Sequence, residues 1–492
     1  MNNNFTNILT QQAQKQPKAI ALILEDETIS YELLEGLVSK CATYLNQQGV
    51  KEGDVVAELF DNGLLSVITM LASARMGATL FTISETMPKD FLNQIIEDIN
   101  ASFIISDFEK NNTTNLKYIY MQKKFFEDIE INTSLYASNP KAPWYIIVGS
   151  GSTGKKKLIL DFHKEFIFGL TVIKNHLPID IHDRITSFIP LSYATTKGRF
   201  FETITAGATF VVLPDLNGPI IDTLKKYRVT TLHASVFHIE KLLNSLPSNV
   251  TQVLGFLKIL SVGYSSVKEP LRQRIKNKLT KNLFIRYSTN EIGPISLTSL
   301  ENVFSTPTSV GKPIKGVKVE IVDYEGKLKP ANEVGLIRIQ SPGMADGYLN
   351  DEEATNKAFK DGWFYPGDIG KLTEDGQLIH LGRSDDMMIM NGVNIYPSQI
   401  ENEMLKHSEV NEAIAFPLKH EVHQDIPVCA VVLKKNSKII QNELTRYAYD
   451  NLGSYRPQLV IILDKSPRNE QGKIIKKELQ HLVKTSLNRN KM

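Results

Sequence analysis

Trp144-Tyr145-Ile146-Ile147-Val148-Gly149-Ser150-Gly151-Ser152-Thr153-Gly154-Lys155-Lys156-Lys157-Leu158-Ile159-Leu160 places an apolar strand pattern on either side of a loop of small residues, hydroxyls and lysines. Such a loop suits a phosphate: glycines let backbone N–H groups approach its oxygens, Ser and Thr add hydrogen bonds, and lysine offsets its charge. Gly149, Gly151 and Gly154 satisfy G-x-G-x-x-G, and Gly149 to Lys155 satisfies G-x-x-x-x-G-K. Both of those sites need a helix N-terminus directly after the glycines, and the second needs Ser or Thr after its lysine. Here Lys156 and then Leu158-Ile159-Leu160 follow, which reads as strand–loop–strand and argues against both. Taken alone, the loop is a weak signal, with a solvated Gly/Ser turn as its rival.

Outward from this loop, helix and strand patterns alternate. Ser30 can cap a helix whose buried stripe is Leu33, Leu34, Leu37, Val38 and Leu45, ending near Gly49. Gly53-Asp54 turns into the strand Val55-Val56-Ala57; a helix around Ser66 to Arg75, a strand after Gly77-Ala78 and the strand Ala101 to Ser106 follow. The alternation predicts an α/β fold, layered, with largely parallel sheets. From about 310 to 380 short strands between Gly and Asp turns, such as Val317 to Asp323 and Gly335 to Ile339, predict a β-rich subdomain. After Gly382-Arg383-Ser384-Asp385-Asp386 a compact α+β unit runs to the end. The expected division is therefore 1–383 and 384–492, in line with the length of 492 residues, too long for one core.

A formal net charge of +2 gives no field that points to nucleic acid. Only the last thirty or so residues are markedly basic, which reads as a solvated terminal helix. Two cysteines, Cys41 and Cys429, provide neither a disulfide framework nor a metal-ligand spacing. Without a signal-like N-terminus or an apolar run of ~18 residues, the expectation is a cytoplasmic protein with no membrane span.

Five signatures in order along the chain resemble those of the adenylate-forming superfamily, which includes acyl-CoA synthetases, adenylation domains of peptide synthetases and luciferases. Ser150 to Lys157 is similar to S-G-[ST]-T-G-x-P-K, with Lys156 in place of proline. The resemblance implies phosphate contacts from Ser150, Gly151, Ser152, Thr153, Gly154 and the loop lysine Lys157. Tyr287-Ser288-Thr289-Asn290-Glu291 resembles Y-G-x-T-E, whose Tyr stacks on adenine and whose Glu helps to hold magnesium; Ser288 and Asn290 depart from it, and Asn290 can still hydrogen-bond the α-phosphate. Asp361 to Asp368 resembles D-G-W-x-x-T-G-D, which implies that Asp368 accepts the ribose hydroxyls, with Pro366 in place of threonine. Gly382 to Asp386, continuing through Gly392 to Glu401, resembles the hinge and thiolation loop: Arg383 as a ribose or phosphate contact, Asp385 as pivot, Gly392 on the loop presented for thiolation. Pro467 to Lys473 resembles P-R-x-x-x-G-K, which implies that Lys473 is the catalytic lysine of adenylation.

The activity so implied is ATP-dependent adenylation of a carboxylic acid with release of pyrophosphate, then transfer of the acyl group to a thiol. ATP and Mg2+ are expected, with coenzyme A as acceptor or the phosphopantetheine of a carrier protein acting in trans. In the segment similar to the family's acid pocket, Phe188 to Gly207, counting back from Ala206-Gly207 puts Tyr193 at an aromatic gate. Ala194 falls where amino-acid-activating members place an aspartate. A pocket without that carboxylate leaves an ammonium unpaired, which disfavours α-amino acids and favours an aryl or aliphatic acid. Lys197, with Arg199 near it, is a candidate for a second anionic group, although solvent exposure is the blander expectation for both. His233, Val236, Gly263 and Tyr264 are candidate walls. Two other readings stay open: a catalytically weak nucleotide-binding member, suggested by the motif departures, and a luciferase-like oxygenating enzyme that shares the first half-reaction.

Overall fold

The computed structural model describes residues 4–483 except 26, 62, 84–86, 88, 110–115, 127, 137–138, 140–141, 150–156, 215, 217, 248, 307, 392, 421–422, 469–473 and 476–477. Its largest sheet has nine strands, in the spatial order Lys312–Pro313, Gly293–Leu297, Leu283–Thr289, Ile259–Gly263, Thr231–Ser235, Arg184–Ser187, Thr209–Val212, Ile20–Leu24 and Glu27–Ser30. The strands from Leu283–Thr289 to Ile20–Leu24 are parallel, and only the flanking ones are antiparallel. A second sheet has six strands: Lys117–Tyr120, Phe103–Ser106, Val55–Leu59, Thr79–Thr82, Pro143–Gly149 and Lys157–Phe162. It is parallel except for its last pair, in which Pro143–Gly149 and Lys157–Phe162 run antiparallel on either side of the lysine loop. The chain is thus a layered α/β protein, and helices such as Tyr31–Gln47, Gly63–Met76 and Ala194–Ala206 supply the layers.

Local chemistry explains these elements. Ser30 caps the helix Tyr31–Gln47, its hydroxyl accepting the Leu33 N–H at 3.1 Å. The buried stripe of that helix is Leu34, Val38, Cys41 and Leu45, one residue per turn; Leu33, counted in the stripe from sequence, is 47% exposed because it lies on the outer side. The helix Gly63–Met76 is buried on all sides, which suits its place between layers.

Residues 318–383 form an antiparallel sheet, in which Asp368–Leu372 and Leu378–Arg383 make a hairpin that pairs Asp368 with Arg383. Beyond it, Met388–Met390, Val393–Ile395, Val410–His420, Gln424–Leu433 and Leu459–Leu463 form a separate sheet. The helices Pro397–Met404 and Gln441–Leu452 cover it over a core that includes Met388, Ile400, Val431, Leu444 and Val460. This unit meets the rest of the chain through Lys268, whose Nζ lies 2.8 Å from Glu401 Oε2 and donates to the Ala413 carbonyl at 3.3 Å. A second contact sets the Arg468 guanidinium 5.7 Å from the Phe237 ring centre.

Candidate active site

A cavity of about 560 Å³ opens at the carboxyl ends of three adjacent parallel strands, which contribute His233, then Ser261 and Gly263, then Arg286 to Thr289. Ligands of open α/β sheets bind outside the carboxyl ends of strands because the loops there diverge and leave room. Facing these ends are the strand Lys157–Phe162 and the helix Ala194–Ala206. That helix divides its residues by face. Ala194, Thr195, Gly198, Arg199 and Glu202 line the cavity, while Thr196, Lys197, Phe200, Phe201 and Ile204 are packed away from it.

One end of the cavity gathers groups suited to a nucleotide. Asp368, 6% exposed, accepts hydrogen bonds from the Tyr287 hydroxyl and lies 3.3 Å from His380 Nε2 and 3.5 Å from Arg383 Nη1. Burial alone raises its carboxyl, but His380, then Tyr287 and Arg383, outweigh that and hold it below the ordinary carboxylate range. A bulge between Ile369 and Gly370 sets Gly370 opposite His380, so the extra residue on the return strand turns His380 toward Asp368. Tyr348 donates to Glu291 Oε1 at 2.8 Å, and Lys157 Nζ sits 4.1 Å from the centre of the Tyr348 ring. Burial lowers the Lys157 ammonium, with Glu291 pulling the other way. The Thr289 hydroxyl is buried with no hydrogen-bond partner among the described residues, and Ser288 and Asn290 complete this wall.

The other end is a floor of charged groups. Arg199 Nη2 lies 2.9 Å from Glu202 Oε1, and Arg286 Nη1 approaches the same oxygen at 2.9 Å. Burial pushes the Glu202 carboxyl up to about 7, against the pull of Arg199, and it pushes the His233 imidazole well below its ordinary value. Tyr264 stands beside this group with φ +68, at the turn after Gly263. Asp161 and Glu165, neither singled out from sequence, line another wall; burial and then the Glu165 charge push Asp161 up to about 7.

Of the residues expected from sequence, the cavity brings together Lys157, Ala194, His233, Gly263, Tyr264, Tyr287, Ser288, Thr289, Asn290, Glu291, Asp368 and Arg383. Ser150, Gly151, Ser152, Thr153, Gly154, Gly392 and Lys473 lie outside the described residues. Asp385 is exposed in the short turn Ser384–Asp386, paired with Arg383 Nε at 3.2 Å. Tyr193 is the residue preceding the helix Ala194–Ala206 and is not part of the lining.

Lys197 is a correction. It neither lines the cavity nor meets solvent: its Nζ is fully buried 2.8 Å from Glu58 Oε1, which also accepts the Thr82 hydroxyl at 2.7 Å. The physical reason is its position on the inward face of the helix, where an ammonium survives only beside a carboxylate. Arg199, two residues on, faces the cavity instead. Sequence reasoning also missed Arg286, Glu202, His380 and Tyr348. Of these only His380 carries a local signal, three residues before Arg383 on the same strand.

The family model described as AMP-binding enzyme matches residues 9–349, and that described as AMP-binding enzyme C-terminal domain matches 399–473. The 2-succinylbenzoate–CoA ligase of Bacillus subtilis (strain 168) is 26% identical over 490 residues, covering 98% of this chain and 99% of that protein. The structure of o-succinylbenzoate CoA synthetase (MenE) from Bacillus subtilis with its acyl-adenylate intermediate superposes with a TM-score of 0.84 at 25% identity, over 96% of this chain and 97% of that one. ATP-bound MatB from Rhodopseudomonas palustris shares the fold, with a TM-score of 0.91 at 22% identity over 98% and 99% of the two chains. With both family models matched in order along the chain, and a cavity that brings together Lys157, Tyr287, Glu291, Asp368 and Arg383 from separate signatures, the chain belongs to the AMP-binding enzymes of the adenylate-forming superfamily and is an AMP-forming acid–thiol ligase.

Proposed function

We propose that this chain activates an aryl or aliphatic carboxylic acid with ATP and passes the acyl group to coenzyme A, both steps taking place at the one cavity. The observation that carries this reading is the continuity of that cavity: Lys157, Tyr287, Glu291, Asp368 and Arg383 at one end, Ala194, Gly198 and His233 at the other. Ala194 offers no carboxylate for a substrate ammonium, which supports exclusion of α-amino acids.

In the first step a carboxylate oxygen of the acid attacks the α-phosphorus, the bond from that phosphorus to its bridging oxygen breaks, and pyrophosphate leaves. In the second a thiolate sulfur attacks the acyl carbon and AMP departs. We assign Asp368 to the ribose hydroxyls and Arg383 to ribose or phosphate, with Tyr287 against the adenine. Asn290, Lys157 and the 150–154 loop act on the phosphates, and Lys473 supplies positive charge to the reacting phosphoryl group. The buried Thr289 hydroxyl, with no partner of its own, gives this wall a spare hydrogen-bonding group beside Glu291. The oxygen donors here fit Mg2+, which would be held by Glu291 together with phosphate oxygens and would neutralise charge on the leaving group. Tyr348 orients the Glu291 carboxylate by its hydrogen bond.

We further assign residues 384–492 to a lid that turns about Asp385, so that Lys473 and then the Gly392 loop serve the two half-reactions. Lys473→Ala is the test. ATP–pyrophosphate exchange should fall by about 100-fold or more, while transfer from supplied acyl adenylate to coenzyme A continues. Unimpaired exchange by this variant would remove the assignment.

A further inference from the structure

We propose that the cavity floor is a second anion subsite, in which Arg199 binds a carboxylate at the far end of the acid substrate; this rests on the acid-activating reading above. Arg199 lines the cavity, and its side chain is 16% exposed there. One nitrogen of its head, Nη2, is engaged by Glu202. Its Nε is buried without a partner among the described residues, as are Arg286 Nε and His233 Nε2. Three such nitrogens leave this region short of acceptors, as buried polar groups in native structures seldom are; closed off from the cavity themselves, they leave the exposed part of the Arg199 head to meet a ligand.

The charge balance points the same way. Two guanidinium groups share the single carboxylate of Glu202, so the floor keeps a net positive charge even with Glu202 ionised. Burial that pushes Glu202 up to about 7 makes the surplus larger near neutrality. His233, held neutral by burial, adds no charge to it. Glu202 fixes both arginines in orientation, which reduces what is lost when a ligand is bound. A planar carboxylate matches the guanidinium fork; a neutral tail leaves the surplus charge without a counter-ion in a desolvated place.

The test compares glutarate, adipate and phthalate with their monoamides, which keep the length and lose the second charge, in ATP–pyrophosphate exchange with the full chain. At least one diacid should exceed its monoamide in kcat/KM by about 100-fold, the discrimination expected of a site built for a charged partner. Arg199→Met should bring diacid and monoamide to within a few-fold, with ATP affinity by calorimetry unchanged; if that variant does not fold, Arg199→Lys should show a reduced but measurable preference. Equal use of diacid and monoamide by the wild type would overturn the subsite and leave the ligase reading standing, as would a preference that survives in Arg199→Met. Absence of exchange with every acid, mono or di, would bring down both.

Discussion

At the scale of the residue, burial decides what each ionisable group can do. His163 is 1% exposed, accepts the Phe5 N–H on Nδ1 at 3.4 Å, and is pushed by burial from 6.5 down to about 4. A depressed histidine is neutral in the fold and protonated in the unfolded chain at mildly acid pH. Its stabilisation is therefore complete above about 6.5 and is lost as pH falls toward 4, by ~3 kcal/mol at most. His163→Gln should flatten the dependence of Tm on pH over that window; an unchanged slope would count against the assignment. The same scale shows what was readable beforehand. Lys157, Tyr287, Asp368 and Arg383 stand in short motifs whose spacing is visible in sequence, and they do converge. Lys197 and Arg199 were not separable that way. Two positions on a helix differ by about 200° in direction, and which face meets the cavity is set by partners such as Glu58, 139 residues away. The Arg286–Glu202 pair, 84 residues apart, left no local trace either.

Among the elements, strand order and hairpin register do the positioning. The pairing of Asp368 with Arg383 turns a separation of fifteen residues into adjacency, and one bulge adds His380. The parallel core was legible because buried strands and capped helices alternate in a regular way, as at Ser30. The bulge was not, since no residue type marks it. Where backbones approach closest, glycine is obligatory. Gly311, at φ +93, leads into the edge strand Lys312–Pro313, and a Cβ there would lie 2.0 Å from the Leu297 carbonyl carbon and oxygen. Gly311→Ala should lower stability by ~3 kcal/mol or more, from overlap and left-handed strain together, measured by chemical denaturation.

In the whole molecule, the polar links among the described residues that join the two parts of the chain include Lys268 with Glu401 and the Ser398 hydroxyl donating to the Leu381 carbonyl at 2.8 Å, and the lid motion proposed above requires such links to part. The Lys268–Glu401 pair is partly exposed, at 19% and 15%, and should be worth about 1 kcal/mol. Lys268 directly follows Ser265, Ser266 and Val267, which line the cavity, so the docking contact and the cavity wall share one short segment. Lys268→Ala should raise thermolysin cleavage near the 384–386 turn about fivefold, and the charge swap Lys268→Glu with Glu401→Lys should restore most of the protection; cleavage equal to that of the native chain would refute the link. The two-faced helix Ala194–Ala206 has a wider consequence. Because its anchoring side chains and its cavity side chains occupy opposite flanks, selection can exchange the residues at 194, 195 and 198 while the scaffold stays folded. Diet can then drift between descendants of one ancestor without the machinery for nucleotide handling having to be rebuilt.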